Sequence, residues 1–154
     1  KLDNFMISEG LWRGRSLYDL YTEAHTPFDW QEELFIYAKN IGITLFSALF
    51  DETSVDLLQS LDAPNYKIAS FEIEDPPLIS YIAKTGKPMQ ISTGIAAFEE
   101  TGQVLEETRC HGAIDITLLH CISSYPTPII AANLLTIQKL ATEFNLQVSL
   151  SAIQ

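Results

Sequence analysis

Short runs of β-branched and aliphatic residues alternate along the chain with longer segments in which apolar residues recur every three or four positions, and turn residues bound each pair. The pattern predicts strands over residues 43–47, 66–70, 88–92, 116–121 and 147–151. The helices between them have recognisable starts. Asp51 can cap a helix over 52–61, and Asp75 can cap one opened by Pro76 and Pro77, because proline is tolerated in a first turn. Val55, Leu58 and Leu61 share one helical face, Leu78, Ile79 and Ile82 a second, and Leu134, Ile137, Leu140, Ala141 and Phe144 a third. Upstream, 16–24 and 28–40 read as two helices split at His25-Thr26-Pro27, the second closed by Gly42 as a C-cap.

Strands joined by crossover helices run parallel, and strands that are apolar nearly throughout are covered on both faces. Two α/β architectures meet those conditions, a doubly wound sheet and part of a (β/α)8 barrel. Periodicity does not choose between them. A complete barrel takes about 250 residues, so on the barrel reading the chain is a partial barrel forming a single domain over 1–154.

Composition narrows the function classes. With 47% hydrophobic and 19% charged residues the chain has the apolar content of a globular protein. Nine Lys+Arg against 20 Asp+Glu leave a net charge of −11, which repels phosphate backbones and argues against nucleic acid and anionic membranes as partners. No apolar run approaches the roughly 20 residues of a membrane span, and the first residues lack the apolar core of a signal peptide, so a cytoplasmic location is expected. Cys110 and Cys121 have neither CxxC spacing nor scaffold density and read as reduced thiols.

Hydroxyl residues end every predicted strand: Ser47, Ser70, Ser92-Thr93, Ser123-Ser124 and Ser151. In α/β folds that edge is where ligands bind, and small donors suit a phosphate or carboxylate. Serine also favours strand ends and turns for local reasons. Lys67 stands among aliphatics and needs an anion, either a ligand or a structural partner such as Glu72 or Asp51. Strict alternation sets Lys67 and Ser70 on opposite faces, so a shared ligand requires Ser70 to lie where the strand bends into its loop. Glu72 follows that strand end, where a barrel enzyme keeps a polar substrate contact or proton-transfer group and where solvated carboxylates are also common. His25, His111 and His120 lack metal-site spacing, and no phosphate-binding glycine loop occurs. Tyr125-Pro126-Thr127-Pro128 is a stiff aromatic turn, fit to clamp a ligand or only to turn the chain.

Four segments in order resemble the sialic acid synthase (N-acylneuraminate synthase) family: residues 14–30, with His25-Thr26-Pro27-Phe28-Asp29-Trp30; Tyr66-Lys67-Ile68-Ala69-Ser70-Phe71-Glu72; Gly86-Lys87-Pro88-Met89-Gln90-Ile91-Ser92-Thr93-Gly94; and Leu118-Leu119-His120-Cys121-Ile122-Ser123-Ser124-Tyr125-Pro126. The first two are most similar to its pseudaminic acid synthase branch. The resemblance implies a partial TIM (β/α)8 barrel of about five parallel strands with outer helices. The implied reaction condenses phosphoenolpyruvate with an acetamido sugar, in this branch a 2,4-diacetamido-2,4,6-trideoxyhexose, to a nine-carbon 2-keto acid with release of phosphate. It implies that Lys67, Ser70, Ser92, Ser123 and Ser151 hold phosphoenolpyruvate, that Glu72 and Tyr125 face the sugar, and that Glu72 serves the catalysis. A divalent metal, Mn²⁺ or Mg²⁺, is expected for the family as a Lewis acid. Here the position of a ligating His in the family's Gly-x-Ser-Asp-His-Thr motif is Ile153, so the metal ligands are missing from the chain, as is the family's antifreeze-like domain. Alternatives are an N-acetylneuraminate or legionaminate synthase-like fragment and a non-catalytic partial-barrel interaction module. Apolar strand edges at 43–47 and 147–151 imply self-association, as a homodimer or larger.

Overall fold

Residues 5–122 and 129–151 are described by a computed structural model. The chain divides into two units, Lys1–Tyr37 and Ala38–Gln154. In the first, an isolated antiparallel bridge joins Met6 to Ser16, and Ile7 exchanges backbone hydrogen bonds with Arg15 and Gly14 around a turn. Ser16 then caps helix α1 (Leu17–Ala24), its hydroxyl accepting the Asp19 N–H at 3.0 Å, while Arg15 pairs with Glu23. Helix α1 stops at His25, ahead of Pro27, and α2 (Phe28–Asn40) follows.

The second unit begins within α2. Gly42 adopts φ +76°, and the Ile43 N–H reaches back to the Ala38 carbonyl at 2.9 Å, which ends the helix as the glycine predicts. Five strands follow, each after the first preceded by a helix: β1 (Ala48–Leu49), α3 (Glu52–Ser60), β2 (Tyr66–Ile68), α4 (Pro76–Ala83), β3 (Met89–Ser92), α5 (Phe98–Cys110), β4 (Ile116–Cys121), α6 (Leu135–Phe144) and β5 (Gln147–Ser151). They form one parallel sheet in the order β1-β2-β3-β4-β5. Sequential order excludes the shuffled arrangement of a doubly wound sheet and fits a partial barrel.

The strand expected over 43–47 is displaced. β1 pairs Ala48 with Lys67, so residues 43–46 stand opposite the turn that contains Asp62, at φ +51°, and Pro64, which has no N–H to donate. Without a partner the β-branched run makes no ladder, and Ser47 precedes the strand instead of ending it, its carbonyl accepting the Lys67 N–H at 3.3 Å. The apolar pattern does not predict helix α5, because two of its three buried positions are threonines. Thr101 and Thr108 bond their hydroxyls to the Ala97 and Val104 carbonyls one turn back, so they pack as apolar surface beside Leu105. Gly112 at φ +99° closes that helix.

The strands present Tyr66, Ile68, Met89, Ile91, Ile116 and Leu118 to the helices, all buried, against Val55, Leu58, Leu78, Ile79, Ile82, Leu105 and Leu140. The intervening residues Lys67, Gln90 and Thr117 are only half-buried. That contrast divides a helix-covered face from the face carrying the site. Among the described residues no helix is long and apolar enough to cross a membrane.

Candidate functional site

Register builds the site. In a parallel ladder, paired residues point to the same face of the sheet. Lys67 pairs with Gln90, Gln90 with Thr117 and Thr117 with Gln147, so four polar side chains from β2 to β5 form one row on the face away from the helices. Two residues toward the carboxyl ends, Ser92, Leu119 and Ser149 form a second row, and beyond it Cys121 pairs with Ser151. A cavity of about 350 Å³ opens on this face, lined in part by Lys67, Gln90, Thr117, Gln147, Ser149 and Ser151, and no described carboxylate lines it.

The cavity answers the question left by Lys67. Among the described residues the ion pairs are Arg15 with Glu23, Lys87 with Asp62, and His111 with Glu107, so neither Glu72 nor Asp51 serves as its partner. Asp51 instead accepts the Ser54 N–H and the Thr53 hydroxyl at the start of α3, and these bonds hold its carboxyl below the ordinary value. Among the described residues the Lys67 ammonium therefore has no carboxylate partner, which leaves its charge available to an anion.

Ser70 lies past the end of β2, in the turn after Ile68, where strand alternation no longer fixes its face, and it is not among the residues lining the cavity. Its hydroxyl meets Cys121 Sγ at 3.0 Å and accepts the Gly94 N–H at 3.2 Å, which ties three successive strand ends together. Ser92 is buried and shares the face of Gln90. Ser151 ends β5, half-buried, and lines the cavity. Glu72 opens a short 3₁₀ turn (Glu72–Glu74), and its Oε2 is buried without a hydrogen-bond partner among the described residues. Ser123 and Tyr125, with Ser124, lie outside the described residues, as does Ile153.

Of the histidines, His120 is turned to the helix side, where its Nε2–H donates to the Ala132 carbonyl at 2.8 Å. His25 and His111 bond to helix carbonyls one turn back. No group of three or more His, Cys, Asp or Glu able to hold a metal occurs among the described residues. Both cysteines are free thiols. Gln90, Thr117 and Gln147 are not among the candidates the sequence offers, and Cys121 stands there only as a reduced thiol. The signal was available in part, since Gln90 and Thr117 are the polar interruptions of otherwise apolar strands at the alternate positions that Lys67 occupies in its own.

The NeuB family matches residues 1–152. A pseudaminic acid synthase of Helicobacter pylori is 44% identical over 151 residues, 98% of this chain and 44% of the relative. A pseudaminic acid synthase of Campylobacter jejuni is 42% identical over 149 residues, 97% of this chain and 43% of that protein. A crystal structure of a putative spore coat polysaccharide biosynthesis protein E from Chromobacterium violaceum superposes with a TM-score of 0.84 at 29% identity, covering 100% of this chain and 46% of that one. The chain thus spans less than half the length of the relatives it matches.

Proposed function

The chain belongs to the NeuB family, and from that premise we propose that its cavity and strand-end rim form the phosphoenolpyruvate half of a pseudaminic acid synthase site. The observation that carries the reading is Lys67, an ammonium without a carboxylate partner among the described residues, in a cavity whose polar lining is otherwise amides and hydroxyls. In this reading Lys67 neutralises the ligand's phosphate or carboxylate, and Ser70, Ser92 and Ser151 supply hydroxyl donors, with Ser123 assigned the same task. Glu72, whose Oε2 has no hydrogen-bond partner among the described residues, is assigned to accept a hydroxyl or amide hydrogen of the sugar, and Tyr125 is assigned to the same partner.

The condensation that follows forms a carbon–carbon bond between the methylene carbon of phosphoenolpyruvate and the aldehyde carbon of a 2,4-diacetamido-2,4,6-trideoxyhexose. Water adds at the carbon bearing the phosphate, and phosphate leaves. The branch assignment is supported by the two pseudaminic acid synthase relatives. In this family a divalent metal would polarise the sugar aldehyde. The described residues do not fit it: they hold no metal-ligating cluster, and His120 is committed to Ala132; in the sequence, Ile153 has no donor atom.

Titration of the chain with phosphoenolpyruvate in a calorimeter tests the reading. Modest binding that is lost in Lys67→Met supports it; binding that survives Lys67→Met overturns it. Ile153 favours a second reading, a barrel segment that keeps the anion rim and does not turn over. Phosphate release from phosphoenolpyruvate in the presence of the diacetamido sugar separates the two.

A further inference from the structure

The Ser70 hydroxyl has one hydrogen and two lone pairs. Gly94 N–H takes one lone pair, at 3.2 Å. What remains for a ligand is decided by the contact with Cys121, 3.0 Å from Oγ to Sγ, in which either atom can donate. If the hydroxyl donates to sulfur, its hydrogen is consumed, and Ser70 turns only a lone pair toward the site, which repels an anion. If the thiol donates to the hydroxyl, both lone pairs are filled, and the hydrogen is left as the one feature Ser70 can offer, directed to an acceptor.

Resting on the phosphoenolpyruvate reading of this site, we infer that Cys121 is a positioning residue: its S–H donates to Ser70 Oγ and so fixes Ser70 as a donor to the bound anion. The placement supports the direction. Cys121 is the last residue of β4, one strand beyond β3 and two beyond β2, and it pairs with Ser151 at the mouth of the cavity that holds Lys67. An anion drawn to that ammonium pulls the Ser70 hydrogen toward itself, and an oxygen that is donating accepts more strongly, which reinforces the thiol's own donation. Gly94 does the same from the other side, so two donors from two strand ends act on one oxygen. Cys121 needs no contact with the ligand for this role.

The test uses the chain with Cys110→Ser, which removes the other, exposed thiol, so that the S–H stretching band in the infrared reports Cys121 alone. Ser70→Ala should move that band to the frequency of a less hydrogen-bonded thiol. Cys121→Ala should weaken phosphoenolpyruvate binding about three- to tenfold, the size of one hydrogen bond. Cys121→Ser, whose hydroxyl also has a hydrogen to give, should restore binding to within about twofold. In a Ser70→Ala background Cys121→Ala should have no further effect, because its influence passes through Ser70. Circular dichroism and thermal unfolding confirm that each variant is folded. The inference is overturned if the S–H band ignores Ser70→Ala, if Cys121→Ala leaves binding unchanged, or if its effect persists without the Ser70 hydroxyl. A parent chain that binds no phosphoenolpyruvate overturns the site reading and this inference with it, whereas binding that is present but indifferent to Cys121 overturns the inference alone.

Discussion

Replacing Ile91 by alanine and, separately, its neighbour Gln90 by alanine tests the division of the sheet into a helix-covered face and a cavity face. Ile91 is fully buried, and in the parallel ladder it stands between Ile68 and Leu118, which are also fully buried. The substitution removes roughly three CH₂ equivalents, worth about 0.8 kcal/mol each on transfer, or about 2.4 kcal/mol. The sheet and helices can relax only partly into the space, so a cavity contribution brings the total to about 3–4 kcal/mol, inside the usual range for such truncations. Gln90 precedes Ile91 in the chain but faces the cavity, is half-buried, and should lose no more than about 1 kcal/mol. Urea unfolding followed by circular dichroism, compared at constant m-value, gives both numbers, and thermal unfolding should drop by about 10 °C for Ile91→Ala alone. Equal losses for the two variants would refute the assignment of faces, and with it the claim that Lys67, Gln90 and Thr117 form one row over a cavity.

Two further outcomes follow from the same structure. Asp51→Ala should cost about 1 kcal/mol at neutral pH by removing the cap of α3, while Asp51→Asn keeps most of it. Hydrogen bonds lower the folded-state pKa of Asp51 below its ordinary 3.8, so the carboxylate's contribution is present above that pH and fades as pH falls through the folded value; denaturant midpoints of parent and Ala variant should converge in acid, and a constant gap down to pH 2 would contradict it. β5 pairs with β4 on one side and with no other strand among the described residues, so self-association through that edge is expected; light scattering over a concentration series should show mass rising with concentration, and a constant monomer mass would count against it.

Features set by neighbours in the chain are legible in the sequence. Asp51 caps α3, Gly42 closes α2, prolines open α4 after Asp75, and β4 and β5 have the bounds their β-branched runs indicate. Each depends on a φ angle, a missing N–H or a side-chain acceptor within a few residues, and such preferences are written locally. The βα alternation was legible for the same reason; the serines at the strand ends and Lys67 pointed to an anion rim from their positions, and the resemblance added their assignment to phosphoenolpyruvate and that of Glu72 to the sugar. Three things belonged to the tertiary structure. The run at 43–47 has the composition of a strand but stands opposite Pro64 and the Asp62 turn, and a strand exists only where a partner does. Helix α5 hid its buried face because Thr101 and Thr108 become apolar surface only once their hydroxyls close on the preceding turn. The row from Lys67 to Gln147, and the meeting of Ser70 with Cys121 across 51 residues of chain, come from ladder register, which is set by how whole strands pack against the helices and by no local propensity.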